Sequence, residues 1–381
     1  NGTGRTVSVM EKRFDTTDID LHGRVAPVLT GADAVTIHAS IMASLIGGAG
    51  ISDAAGLGVA PGCRLASSDF ALLLPDDDGD YAAQDISVQN HSYGVGIENY
   101  YGADAMAFDQ SVRVRPSLVH VFSAGNLGGE SPATGAYQGV AGFANLTGGF
   151  KMAKNILVVG AVDSFGRVVP YSSRGPAYDG RIKPDLVAFG SDGTSGAAAL
   201  VSGTAVVLQQ AFAEKHNGAL PPAALIRAVL LNSAEDTGFP GPDFVSGFGN
   251  LNAVQAAEAI EKNHYFIGEL DQNEEVTVEV IVPPYQHDLT LTLAWDDPAA
   301  PAGASKALVN DLDVSLAGPV GQSLWLPWKL NAGPQSDSLV LPAVRGIDSL
   351  NNAEQISISF PEAGKYQIRI RGRHIASAKQ V

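Results

Sequence analysis

Over roughly the first 260 residues, short β-branched runs alternate with longer alanine-rich amphipathic stretches. Strand and helix taken in turn is the texture of βαβ units around a parallel sheet. The pattern predicts strands at 6–10, 118–123 and 156–161 and helices at 38–46, 196–216 and 221–232. The last of these opens on proline, whose missing N–H costs nothing in a first turn. Past Lys262 the period changes: 276–282, 289–295, 355–360 and 365–371 alternate apolar and polar positions between turns, as antiparallel strands do. The expected fold class is α/β, a doubly wound parallel sheet with helices on both faces in residues 1–263, followed by an antiparallel, jelly-roll-like β-sandwich in 264–381.

A chain of 381 residues with 45% hydrophobic and 17% charged side chains can bury two cores. A formal charge of -16, with no basic cluster to reverse it locally, repels phosphate backbones, so nucleic acid is not an expected partner. No apolar run reaches 18 residues, so no membrane partner is expected either. Cys63 is the single cysteine; it forms no disulfide within the chain and reads as a buried small hydrophobe. The chain begins at Asn1 without an initiator Met, as a processed or trimmed fragment would. The oligomeric state is not legible.

Candidate chemistry lies in four segments. Gly193-Thr194-Ser195-Gly196, followed by Ala197-Ala198-Ala199-Leu200-Val201-Ser202-Gly203, sets a serine in a glycine-flanked turn that runs into a small-residue helix. Unpaired N–H groups and the positive end of the dipole then face Ser195, as stabilisation of an oxyanion requires. His38 stands on the first turn of its predicted helix, before Gly58-Val59-Ala60-Pro61; an imidazole there can take a hydroxyl proton and return it to a leaving amine. Ser123-Ala124-Gly125-Asn126 ends a buried strand on an exposed amide. Val7-Ser8-Val9-Met10-Glu11 ends the first strand on a carboxylate.

Taken together these segments resemble the subtilisin family, over residues 4–260. The resemblance implies a serine endopeptidase with Ser195 as nucleophile, His38 as general base, Asn126 as oxyanion donor and Glu11 as the acid that orients His38. Phe14-Asp15-Thr16-Thr17 and Asp20-Leu21 to Gly23-Arg24-Val25 fix the register without a gap, which makes Asp15 the fallback acid. Ser92-Tyr93-Gly94 resembles the family's substrate-binding edge strand, with Ser123, Ala124 and Gly125 as the floor of the S1 subsite, and polypeptides are the implied partners. No catalytic cofactor is implied.

Several positions depart from the pattern. Glu11 stands where the family has aspartate, Ala39 follows the histidine where glycine is usual so that a Cβ must be accommodated beside the cleft, Ala199 and Leu200 replace the usual proline and histidine, and only 189–192 separate Lys183-Pro184-Asp185-Leu186-Val187-Ala188 from the serine turn. Glu11, Ala39 and the shortened segment keep a pseudoenzyme acting as a protein-binding module as the alternative. An acid-active, sedolisin-type relative lacks a histidine at the base position, so His38 argues against it.

Pro75-Asp76-Asp77-Asp78-Gly79-Asp80 reads as a solvated acidic loop. In the C-terminal part, Trp295-Asp296-Asp297 and Asn310-Asp311-Leu312-Asp313 resemble elements of the sandwich domains of some alkaline subtilases. Asp311 and Asp313 share a strand face, so Asp297, Asp311 and Asp313 are candidate ligands for a structural Ca2+. An extracellular setting is expected, with a cytoplasmic one as the alternative.

Overall fold

A computed structural model of the chain describes residues 1–27, 34–319, 323–377 and 379–380. Strand β1 (Thr6–Met10) is buried along its whole length because both faces of its sheet are covered, so it shows a continuous apolar and small-residue run rather than an alternation. β2 (Arg64–Ser68), β3 (Ile86–His91), β4 (Val119–Ser123), β5 (Leu157–Val162) and β6 (Leu186–Phe189) complete a parallel sheet of order β2-β1-β3-β4-β5-β6. From β1 the chain moves to one side to build β2 and to the other to build β3. That reversal opens a crevice at the carboxyl ends of β1 and β3, the position where open α/β sheets bind ligands.

Helices α1 (Ile37–Gly47), α2 (Asp78–Gln84) and α3 (Ala103–Val114) lie among these strands in the chain. A two-residue strand, β7 (Ser191–Asp192), leads directly into α4 (Gly193–Lys215), and α5 (Ala223–Ser233) and α6 (Ala253–Glu261) follow. α4 begins at Gly193, three residues before the start expected from the pattern, so Ser195 lies inside the first turn rather than at its cap. Among the described residues α4 alone is long and apolar enough to cross a membrane, and most of it is packed inside the protein. Its Ala197, Val201, Ala205 and Leu208 join Val7, Val9, Val121 and Val159 of the sheet in the main core.

The C-terminal part contains β8 (Glu275–Val282), β9 (Asp288–Ala294), β10 (Asp311–Ala317), β11 (Leu324–Trp325), β12 (Trp328–Lys329), β13 (Val344–Arg345), β14 (Ala353–Ser359) and β15 (Gly364–His374). An antiparallel sheet of order β11-β10-β15-β8 faces the β14-β9 pair, and Val282, Val314, Leu316, Ile356 and Tyr366 fill the space between. This is a β-sandwich. The expected division at 263/264 falls in the link between α6 and β8.

The two parts are joined by buried charge. Arg227 of α5 donates to Asp296 Oδ1 at 3.0 Å and to the Trp295 carbonyl at 2.7 Å. Lys154 lies 3.2 Å from Asp109 and 3.1 Å from Asp297, with all three side chains out of contact with solvent. Gln355 of β14 donates to the Leu231 carbonyl at 3.1 Å.

Candidate active site

The N-terminus of α1 fixes the histidine. Thr36 caps the helix by accepting from the Ala39 N–H at 3.3 Å, which directs His38 out of the first turn. Its Nδ1 lies 2.9 Å from Glu11 Oε1 and 3.0 Å from Oε2. With the Nδ1–H donated to the carboxylate, Nε2 is left as the acceptor. Ala39 does not crowd the cleft as expected: its Cβ points into the core, where the residue is fully buried.

Glu11 follows β1 directly and is itself buried, its N–H donating to the Ser68 carbonyl at 2.8 Å. Lys12 and Arg13 turn elsewhere, to Asp69 and Thr16. Burial pushes the Glu11 carboxyl above its ordinary pKa, and the hydrogen bond and charge of His38 offset part of that rise. Conversely, the Glu11 hydrogen bond raises the His38 pKa against the pull of burial, with the charges of Glu11 and Asp192 adding to the rise. Asp15 takes no part in this contact: its carboxylate accepts from the N–H and hydroxyl of Thr17 at 2.9 and 2.7 Å.

Ser195 is almost entirely buried. Its Oγ donates to the Ser92 carbonyl at 3.3 Å, and Ser92 Oγ donates to the Ser195 carbonyl at 3.1 Å. The hydroxyl is therefore turned to β3's extension rather than to His38. The group facing His38 Nε2 is Asp192, whose Oδ2 lies 3.8 Å away. The short segment before the serine turn is visible in the sequence but its consequence is not: with Gly190 alone separating β6 from β7, the acid at 192 is delivered beside the imidazole.

Asn126 is exposed at the end of β4. Its Oδ1 accepts from the N–H and hydroxyl of Thr194 at 3.1 and 3.0 Å, which leaves the NH2 group for a ligand. Gly193 makes this approach possible: its φ is +63°, and a Cβ there would lie 2.9 Å from Asn126 Nδ2.

The segment Ser92–Gly94 differs from the expected edge strand. It continues β3, a central strand paired on both sides, so only the peptide groups beyond His91 escape the sheet ladder. The Tyr93 ring points into the protein, with its hydroxyl 3.0 Å from His91 Nδ1. Across from it, Ser123 Oγ lies 3.5 Å from the Tyr93 carbonyl, the Ala124 N–H donates to Val159, and the Gly125 N–H donates to Thr194 Oγ1 at 3.1 Å.

The expected calcium ligands are divided. Asp297 is spent: its two oxygens accept from the N–H groups of Asn310 and Val309 at 2.7 and 2.8 Å, and Lys154 neutralises it. Asp311 and Asp313 do share a face of β10, and each has an Oδ1 without a partner, as does the buried Glu354 at Oε1. Burial, with the charges of Asp348, Asp313 and Asp311, drives Glu354 well above the ordinary carboxyl pKa. Among the described residues no three acidic, histidine or cysteine side chains are gathered into a ready metal cage. Cys63 is buried, its thiol pushed up to about 12 by desolvation.

A profile of the subtilase family matches residues 2–249. The serine protease/ABC transporter B family protein tagA of Dictyostelium discoideum is 26% identical over 264 residues, covering 55% of this chain and 15% of that protein. Subtilisin-like protease SBT6.1 of Arabidopsis thaliana is 27% identical over 132 residues, 29% of this chain and 12% of that protein. The chain thus spans only a small part of these relatives. Among solved structures, the patellamide maturation protease PatA superposes with a TM-score of 0.53 at 22% identity, covering 68% of this chain and 98% of that one. The prenylagaramide maturation protease PagA gives 0.52 at 22%, covering 67% and 94%. At such identity the likeness is one of fold.

Proposed function

The chain belongs to the subtilase family of serine peptidases, and from that premise we propose that it hydrolyses internal peptide bonds through an acyl-enzyme on Ser195. The observation that carries this reading is the contact of His38 Nδ1 with Glu11, which leaves Nε2 as a base beside the N-terminus of α4. In the reaction Ser195 Oγ leaves the Ser92 carbonyl, gives its proton to His38 Nε2 and bonds to the substrate carbonyl carbon. The oxyanion receives hydrogen bonds from Asn126 Nδ2 and the Ser195 N–H. His38 then protonates the leaving amine, and water, activated by the same imidazole, releases the acid. Glu11 stabilises the imidazolium without taking its proton.

A fluorophosphonate probe modifies only an activated serine. Labelling at Ser195, located by peptide mapping and lost in Ser195→Ala together with about a millionfold in turnover, is the expected result; that magnitude is the one measured for subtilisin itself. An unlabelled Ser195 in folded protein would make the chain a binding module instead.

We further propose that the sandwich binds Ca2+ at Asp311 and Asp313, because their unpartnered oxygens and that of Glu354 suit a hard cation that prefers oxygen ligands. The ion would hold these carboxylates together and take no part in the peptidase chemistry. Added Ca2+ should raise the Tm of chelator-treated protein, and an unchanged melting curve refutes the site.

A further inference from the structure

Behind the segments 92–94 and 123–125 the structure holds a feature that backbone binding does not use. A Cβ built on Gly94 would lie 2.4 Å from Thr147 Oγ1, and a Cβ built on Gly125 would lie 2.4 Å from the same atom. One hydroxyl therefore closes the gap between the two segments. The Thr147 backbone ties it to both, accepting from the Val95 N–H at 3.3 Å and donating to the Ala124 carbonyl at 3.2 Å.

Lys151 stands behind that hydroxyl. It has no solvent exposure, and its Nζ donates to Thr147 Oγ1 at 2.7 Å. An ammonium only donates, so Oγ1 is the acceptor in this bond and its own hydrogen is free to point elsewhere. The acceptor at hand, the Ala124 carbonyl, is at the outer limit of 3.5 Å. What the gap presents is thus an O–H donor polarised by a cation.

That cation lacks a counter-ion. Among the described residues no carboxylate lies within ion-pair distance of Lys151. Glu98, on the loop before α3, and Asp104, in the first turn of α3, are turned to the N–H groups of Gly149, Ala105 and Phe150. The remaining neighbours are the Phe150 ring, 5.7 Å from Nζ, and His91, whose pKa burial holds well below its ordinary value. Desolvation alone lowers the Lys151 amine to about 7. A buried amine without an anion is costly to keep in a fold, and groups of this kind collect at sites where a ligand supplies the missing charge.

We infer that the S1 subsite selects an acidic P1 side chain, aspartate or glutamate, whose carboxylate accepts the Thr147 hydroxyl proton while Lys151 backs it from below. This rests on the peptidase reading in one respect, that segments 92–94 and 123–125 form the walls of S1.

The test compares peptides that differ only at P1. Wild-type kcat/KM should favour Asp over Asn, and Glu over Gln, by on the order of 100-fold, the worth of a hydrogen bond to a charged group. Lys151→Met and Thr147→Val should each bring that ratio to within a few-fold. Equal rates for Asp and Asn in the wild type, or a preference that survives both substitutions, overturn the proposal. Binding separates it from the chemistry: fluorescent peptides ending in Asp or Asn are titrated against Ser195→Ala and followed by anisotropy. An acidic preference there without turnover in the wild type keeps the subsite and removes the peptidase reading. Turnover without an acidic preference does the reverse.

Discussion

Glutamate in place of aspartate lengthens the orienting side chain by one methylene, about 1.5 Å, and the chain absorbs it by burying Glu11 against the end of β1 while both oxygens stay within 3.0 Å of His38 Nδ1. The role proposed for it separates it sharply from Asp15. Glu11→Gln should lose several orders of magnitude in turnover at neutral pH, since an amide neither stabilises imidazolium nor fixes the tautomer. Asp15→Asn, which touches only the Thr17 turn, should change it little. The reverse ranking would show that the acid has been misplaced. The pH profile carries a second expectation. A protonated His38 has no lone pair for the serine proton, and its pKa is raised from 6.5 by Glu11 and Asp192. The acid limb of kcat/KM should therefore lie above pH 6.5, and Asp192→Asn, which removes one of the anions, should move that limb to lower pH on a substrate with a neutral P1. A limb that stays in place would mean that Asp192 does not act on the base. The register of the first motif placed Glu11 at the strand end, where it meets His38. Lys151 was not legible: in a glycine-rich loop a lone lysine reads as solvated, and only the tertiary packing of Phe150 and β3 around it takes away its water.

At the scale of elements, the strands and helices of the peptidase sheet were readable because local propensity and burial agree there. Residues 6–10 were predicted as a strand and form one, and the helix expected at 38–46 extends by a single residue at each end. The start of α4 was misjudged because a helix opening on Gly193 with positive φ has no local signal; the close approach of Asn126 requires it. That 92–94 extend a central strand past its paired part was not readable for a related reason, since sheet order depends on which strands pair and not on the texture of any one. In the sandwich, period 2 correctly set Asp311 and Asp313 on one face of β10. It gave no sign that Glu354, from β14 in the facing sheet, shares their electrostatic environment. If a cation holds that group, Asp311→Asn should abolish the Ca2+-dependent increment in Tm while leaving the chelated protein's melting temperature near that of the wild type.

For the molecule as a whole, the charges that no pattern revealed are those that join its two parts. Asp109, Lys154 and Asp297 come from three distant points of the sequence, so each alone looks like a surface residue. Asp297→Ala should destabilise the protein by about 3–5 kcal/mol, because it leaves Lys154 short of one anion and strands two buried N–H groups. Chemical denaturation followed by both near- and far-ultraviolet circular dichroism measures this, and a loss below about 1 kcal/mol would mean that the contact is incidental. An enzyme that cuts polypeptides is surrounded by copies able to cut it, and attack begins where a chain opens locally. Desolvated charge at the seam resists separation of the two parts, which closes one route by which a cleaving neighbour could reach backbone short of global unfolding.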